Sequence, residues 1–379
     1  MIMTLDKFEE KIEIDEQLTH AAGVAVNEVL VLKKDERVLI ITNPVKDVLA
    51  ISMALYNAAL DARGVPTLML QPVKSQLDFA EPAVISAIES TPEVILSISH
   101  QKLGKDPARI KEPIKIGEKK YDHYFHYLLG EKKSRSFWSP SVTLEMFKKT
   151  VPIDYRQLRE TAKALKEILD DAGSVHITTA AGMDLEIGLK GRITRSDDGD
   201  FSAPGSGGNL PCGEVFISPA LAASEGTIVF DGSISSAEGA IIMKTPITCK
   251  VEGGFVTDIT GDTEAQELID TLAKAEDTTR KFVAEGKLPE ADLGSYLKNI
   301  RHLGELGIGL NPAAEIVGNI LEDEKVFKTC HIAIGANYDE DANALVHLDG
   351  IIYNPTIVAK MADGTEKEFM TDGTINIGD

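Results

Sequence analysis

Two histidines, a tyrosine and an aspartate fall within the short stretch from His331 to Asp349, in sequence that alternates like β-strand. The run TCHIAIGANY carries His331 and Tyr338, and ALVHLDGII carries His347 and Asp349. Residues two apart in a strand share a face, so His347 and Asp349 would present an imidazole and a carboxylate side by side on a rigid support. With His331 close by, the pattern reads as a two-histidine, one-carboxylate metal set or as part of a larger site. Two further carboxylates stand among small and apolar neighbours: Glu214, which opens GEVFIS after the turn NLPCG, and Glu305 in RHLGELGIG. Burying such a group is costly unless a cation or hydrogen bonds compensate. Taken singly, each reads as an exposed or capping glutamate. Taken with His331, His347 and Asp349, they point to a metal.

The remaining candidates carry less. His123 and His126 stand at helical i, i+3 spacing in KKYDHYFHYLLG, a possible metal face but more simply a solvated or packing one. Cys212, Cys249 and Cys330 are odd in number and far apart, which excludes a disulfide framework and a CxxC zinc site and predicts reduced, mostly buried thiols. Alternation turns Cys330 to the face opposite His331. The net charge of −21 argues against nucleic acid and anionic membrane as partners. The N-terminal MIMTLDKFEEKIEID lacks a basic segment followed by an apolar run, and no long uninterrupted apolar stretch follows, so the expectation is a cytoplasmic protein without a signal peptide or transmembrane helix.

At 379 residues the chain is expected to hold two domains. In residues 1–150 strand and helix signals alternate. ERVLIITNP, PTLMLQP and EVILSISH read as strands; KDVLAISMALYNAALDARG, with Gly64 as its C-cap, and PAVISAIEST read as helices. That order implies an α/β domain with a parallel sheet, whose ligands would lie beyond the strand C-termini near Asn43 and Pro44. No glycine-rich phosphate motif accompanies them, so no nucleotide site is assigned. Residues 151–379 open with a long helix ending at Gly173. A hairpin around AAGMD and many short strands follow, interrupted by a helix in TEAQELIDTLAKAEDTTRKFVAEG. This second part is an α+β, metal-binding domain. Within this second part, the GSGG of the glycine-rich stretch DDGDFSAPGSGGNLPCGE reads as a mobile loop or a linker between hairpins.

The ordered motifs NLPCGEVFISP, LGELGIGLNP, CHIAIGANY and VHLDG resemble the leucyl aminopeptidase-like metallopeptidases, the aminopeptidase T and S family. The likeness runs in outline over the whole chain and is most specific in the C-terminal half. It implies metal ligands at Glu214, Glu305, His331, His347 and Asp349, and an active-site tyrosine at Tyr338. Cys212 stands where relatives carry an acidic residue, a departure that bears on substrate choice. The resemblance further implies a metallo-aminopeptidase holding two divalent ions (Zn, Co, Mn or Mg). Glu305 would bridge them, a metal-activated hydroxide would attack the N-terminal peptide bond of a short peptide, and Tyr338 would donate to the oxyanion. Glu305 and Tyr338 are thus the catalytic candidates, Glu315 and His302 candidates for orienting the ligands, and a homodimer the expected assembly.

The same resemblance takes in the ring-cleaving 2,5-dihydroxypyridine dioxygenases. There His331, His347 and Asp349 would hold a single Fe(II), with Glu214 and Glu305 beside it or against the substrate. A binding module with a dead site is the third alternative.

Overall fold

The computed structural model describes residues 12–75 and 78–377. The N-terminal run read for a leader lies largely in residues 1–11, outside the described residues. The chain forms two compact units. One contains residues 1–159 and 197–212, the other residues 160–196 and 213–379.

The first unit is a parallel sheet in the order Gly207–Asn209, Arg135–Pro140, Val94–Ser99, Arg37–Thr42, Val65–Leu70. Val94–Ser99 lies inside the sheet and is buried at every position, which is why VILSIS reads as a run rather than an alternation. The helices Lys46–Asp61 and Pro82–Glu89 supply the crossovers. Two expectations are corrected. The C-cap of Lys46–Asp61 is Ala62, followed by left-handed Arg63 (φ 63°), not Gly64; a Cβ at Gly64 would meet Leu32 Cδ2 at 2.8 Å and the Ala59 carbonyl oxygen at 3.2 Å. The GSGG stretch is no linker: Gly207–Asn209 is a strand paired in parallel with Arg135–Pro140, where a Cβ at Gly207 would lie 2.7 Å from the Ser136 carbonyl oxygen. Beyond the strand C-termini, Asn43 is wholly buried. Its amide donates to the carbonyls of Gln71 and Pro72 and accepts from the His100 N–H. The side chain therefore braces that end of the sheet.

The second unit is built on two sheets. One runs Phe255–Thr260, Ile247–Glu252, Ser224–Phe230, Asp184–Gly188, Ala172–Thr178, Thr356–Met361, Glu366–Thr371, Thr374–Ile375. The AAGMD hairpin is present in it as Ala172–Thr178 against Asp184–Gly188. The other carries, in order, Gly239–Ile242, Ser233–Ser236, His347–Tyr353, Thr329–Gly335, Leu303–Gly309 and Glu214–Ile217, each antiparallel to the next. Its two central strands, Leu303–Gly309 and Thr329–Gly335, are buried throughout. Gly350 lets this sheet receive the Phe230 ring, which a Cβ would meet at 2.3 Å. The helix Thr263–Ala284 is the predicted insert. Cys212, Cys249 and Cys330 are buried and joined in no disulfide among the described residues. No helix among the described residues is long and apolar enough to cross a membrane.

Candidate metal centre

Five of the chemically able side chains lie on four adjacent strands of one sheet: Glu214, then Glu305, then His331, then His347 with Asp349. Register puts them on one face. Ala333 stands between Glu305 on one neighbour and Asp349 on the other, and Gly307 pairs with His331, Gly309 with Glu214 and Gly335 with His347. Residues paired across antiparallel strands share a face, so the acidic and imidazole groups alternate there with glycine and alanine. The glycines are sterically required. A Cβ at Gly307 would fall 2.0 Å from His331 Nε2, so the imidazole lies across the bare backbone of the next strand. Cys330 pairs with Ile308 and Ile352 on the opposite face, in the core, as alternation predicts.

The groups converge closely. His331 Nε2 lies 3.1 Å from Glu305 Oε1 and 3.4 Å from Glu214 Oε2. His347 Nε2 lies 3.2 Å from Glu305 Oε2 and 3.1 Å from Asp349 Oδ1. Two sets result, Glu214–Glu305–His331 and Glu305–His347–Asp349, in each of which the ligand-capable atoms all lie within 4.8 Å of one another. Glu305 belongs to both, one oxygen turned to each histidine. Among the described residues His331, His347 and Asp349 do not form such a set by themselves.

The donor set fits divalent cations. His347 Nδ1 donates to the Ala336 carbonyl at 2.8 Å, which fixes the ring and leaves Nε2 facing two carboxylates. That is the arrangement in which an imidazole ligates through one nitrogen while the other is held by an acceptor. Glu214 Oε2, Glu305 Oε2 and Asp349 Oδ1 are buried without a hydrogen-bond partner, a cost that a shared cation removes. The electrostatics agree. Burial disfavours charge on His331 and His347, yet the neighbouring carboxylates of Glu305, Glu214 and Asp349 outweigh it, raising His331 to about 9 and His347 well above its usual range. Burial likewise opposes ionisation of Asp349, but the His347 imidazole beside it holds the carboxyl down at about 2. Glu305 is also held below the carboxylate range by its two histidines, against burial. A field that favours protons on imidazoles this strongly also favours a divalent cation between them.

Sequence reasoning missed one member. Lys325 is fully buried, with Nζ 2.5 Å from Glu214 Oε1 and 2.5 Å from Glu324 Oε1. Burial raises the Glu324 carboxyl to about 7 and raises Glu214 as well. The apolar flank of the EDEKVF run was the available signal: a lysine next to a strand start, with acidic neighbours too near for alternation to separate.

Tyr338 is half exposed, with its ring 5.1 Å from the His347 ring and 5.2 Å from Phe216. Burial and then the carboxylates of Glu305 and Asp349 raise its phenol. Its loop is tied down by Arg192, which donates to Asp339 and Asp341, and by Arg195, which donates to Asp339 and lies over the Tyr338 ring. A cavity of about 530 Å³ opens there, lined by Gly191, Ile193, Arg195, Tyr338, Asp339 and Glu340.

The other candidates fall elsewhere. Glu315 is exposed and its backbone N–H donates to Glu322. His302 is buried against Phe255, both ring nitrogens unpartnered, and burial lowers it to about 4. His123 is the N-cap of the helix Tyr124–Gly130: its Nδ1 accepts from Phe125 N–H, and its other nitrogen lies 3.2 Å from the Gly104 carbonyl. His126 faces Asp122 at 3.3 Å. That pair is a cap and a surface contact rather than a metal face.

Residues 142–285 match the family model of NicX, 2,5-dihydroxypyridine 5,6-dioxygenase. A 2,5-dihydroxypyridine 5,6-dioxygenase of Pseudomonas putida KT2440 is 31% identical over 115 residues, 29% of this chain and 31% of that protein. The chain thus matches less than a third of the length of this curated relative. Among solved structures, a 2,5-dihydroxypyridine dioxygenase from Pseudomonas putida KT2440 is similar at a TM-score of 0.70 and 17% identity, over 95% of this chain and 96% of that one. AmpT from Thermus thermophilus is similar at 0.63 and 17%, over 96% and 100%. At these identities the solved structures establish a shared fold. The family match contains Glu214 and ends before Glu305, His331, His347 and Asp349.

Proposed function

We propose that this chain is a metal-dependent hydrolase that holds two divalent cations side by side and removes N-terminal residues from short peptides. The observation that carries it is Glu305, shared between two three-residue sets, with one oxygen toward each. Carboxylate and imidazole donors of this mix suit zinc, manganese or cobalt. Such a pair of cations supplies a polarised carbonyl and a water acidified toward neutrality. The chain's own residues do the rest. Glu214, Glu305 and Asp349 offset the cationic charge. Ala336 and Gly307 fix the two imidazoles, one by a hydrogen bond and one by leaving room. Tyr338, kept protonated, would donate to an oxygen gaining charge in the transition state. The peptide substrate and the exo mode rest on the resemblance of NLPCGEVFISP, LGELGIGLNP, CHIAIGANY and VHLDG to the aminopeptidase T and S family.

A second reading has its own support. The family match and the 31% identical relative both carry the dioxygenase name, and a single Fe(II) on His331, His347 and Asp349 would follow from it. Against it stands the geometry, which puts Glu305 between the two histidines. Leucine-p-nitroanilide hydrolysis by protein reconstituted with zinc, cobalt or manganese tests the first reading. Oxygen consumption with 2,5-dihydroxypyridine after Fe(II) loading tests the second. Oxygen uptake without peptidase activity would reject the hydrolase.

A further inference from the structure

We propose that Lys325 is a built-in cation that makes the two metal positions unequal, so that Glu305–His347–Asp349 fills first and Glu214–Glu305–His331 second and more weakly. The inference rests on the two-cation reading and deepens it.

Glu214 has two oxygens, and the structure assigns them different partners. Oε1 is taken by Lys325 Nζ at 2.5 Å, while Oε2 is buried, without a hydrogen-bond partner, and faces His331 at 3.4 Å. Glu214 therefore has one oxygen left for a cation, and a charge-assisted hydrogen bond already draws on its negative charge. The ammonium also stands close to that position with the same sign of charge. On the other side, Asp349 Oδ1 lies 3.1 Å from His347 Nε2, and the Lys325 ammonium reaches Asp349 only through its field, after those of His347 and His331.

Lys325 is held in this place. It has no exposed surface. Its N–H donates to the Glu322 carbonyl, and its own carbonyl accepts from Asn311 N–H. The chain at Lys325–Val326 passes so near Gly309, the register partner of Glu214, that a Cβ there would fall 2.1 Å from the Val326 carbonyl oxygen. Glu324 grips the same ammonium at 2.5 Å. Swinging the side chain out to water would leave two buried carboxylates without a counter-charge.

The test is calorimetric titration of metal-stripped full-length protein with Co2+, with the d–d absorption of each equivalent as a second readout. Wild type is expected to bind two equivalents, the second roughly ten- to a hundredfold more weakly. Asp349→Asn should remove the tight event, and Glu214→Gln the weak one. Lys325→Met should tighten the second equivalent about tenfold or more and leave the first within about threefold. Because Lys325→Met alone strands Glu324, the double variant Lys325→Met/Glu324→Gln is measured beside it and should show the same tightening. Two equal equivalents in wild type, or a second equivalent that is unchanged or weakened in the Lys325 variants, would overturn the proposal. A single equivalent in wild type would instead reject the two-cation reading on which it stands.

Discussion

Replacing Gly307 by alanine is the smallest change that should disable the centre. The added methyl would lie 2.0 Å from His331 Nε2 and 2.2 Å from Cε1, about 1 Å inside the closest approach that real Cβ atoms make. The ring must retreat by about that much, yet His331 is fully buried and its Nε2 sits 3.1 Å from Glu305. Overpacking of this kind costs about 1–3 kcal/mol, too little to unfold a unit of this size. A displacement of about 1 Å at a reacting centre, however, costs on the order of a hundredfold in rate. Gly307→Ala should therefore fold, lose a few degrees in Tm, drop kcat/KM by roughly a hundredfold and weaken metal binding by about ten- to a hundredfold. Gly294→Ala is the control: it lies in the helix Leu293–Asn299, with nothing within 4 Å of its would-be Cβ. Wild-type activity and metal content in Gly307→Ala would refute the placement of His331 over that strand as the basis of the site.

Three more outcomes are expected. Glu305→Gln, which keeps shape and removes the shared charge, should lower turnover by at least about a thousandfold and drop the bound metal below two per chain, with far-UV circular dichroism unchanged. His302 is buried neutral, with its proton affinity lowered to about 4 against an ordinary 6.5. The unfolded chain therefore binds the extra proton first, and the stability from His302 is full above pH 6.5 and declines as pH falls toward 4. His302→Leu should remove up to about 3 kcal/mol of that loss, read as the difference between urea midpoints at pH 7 and pH 4.5. Stripping metal with a chelator should lower Tm, and returning Zn2+, Mn2+ or Co2+ should restore it in a concentration-dependent way; no shift with any of them would favour a site that holds no metal.

Much of this centre was legible because strand alternation is a local rule. It put His347 beside Asp349, turned Cys330 away from His331, and marked Glu214 and Glu305 as acids in apolar strands. What sequence could not show was which strands become neighbours. That Glu305 lies between both histidines depends on strand order, set by packing across the whole unit. Lys325 escaped notice for the same reason: its partner Glu214 is 111 positions away. The glycines of Leu303–Gly309 are clearances, Gly307 for an imidazole and Gly309 for a passing backbone, a role that spacing along one strand does not reveal. The GSGG stretch misled in the opposite sense, since composition says linker while three residues suffice to pair with Arg135–Pro140. His123 shows the limit of spacing rules: i, i+3 suggests a shared helical face, but one of the pair stands outside the helix as its cap.

Metal stoichiometry by elemental analysis of freshly purified full-length protein, alongside Glu305→Gln, goes most directly to the central claim. Two divalent ions per chain in wild type, and fewer than two in the variant, are predicted. A single iron per chain unaffected by Glu305→Gln, or no metal in either protein after exposure to divalent ions, would contradict it.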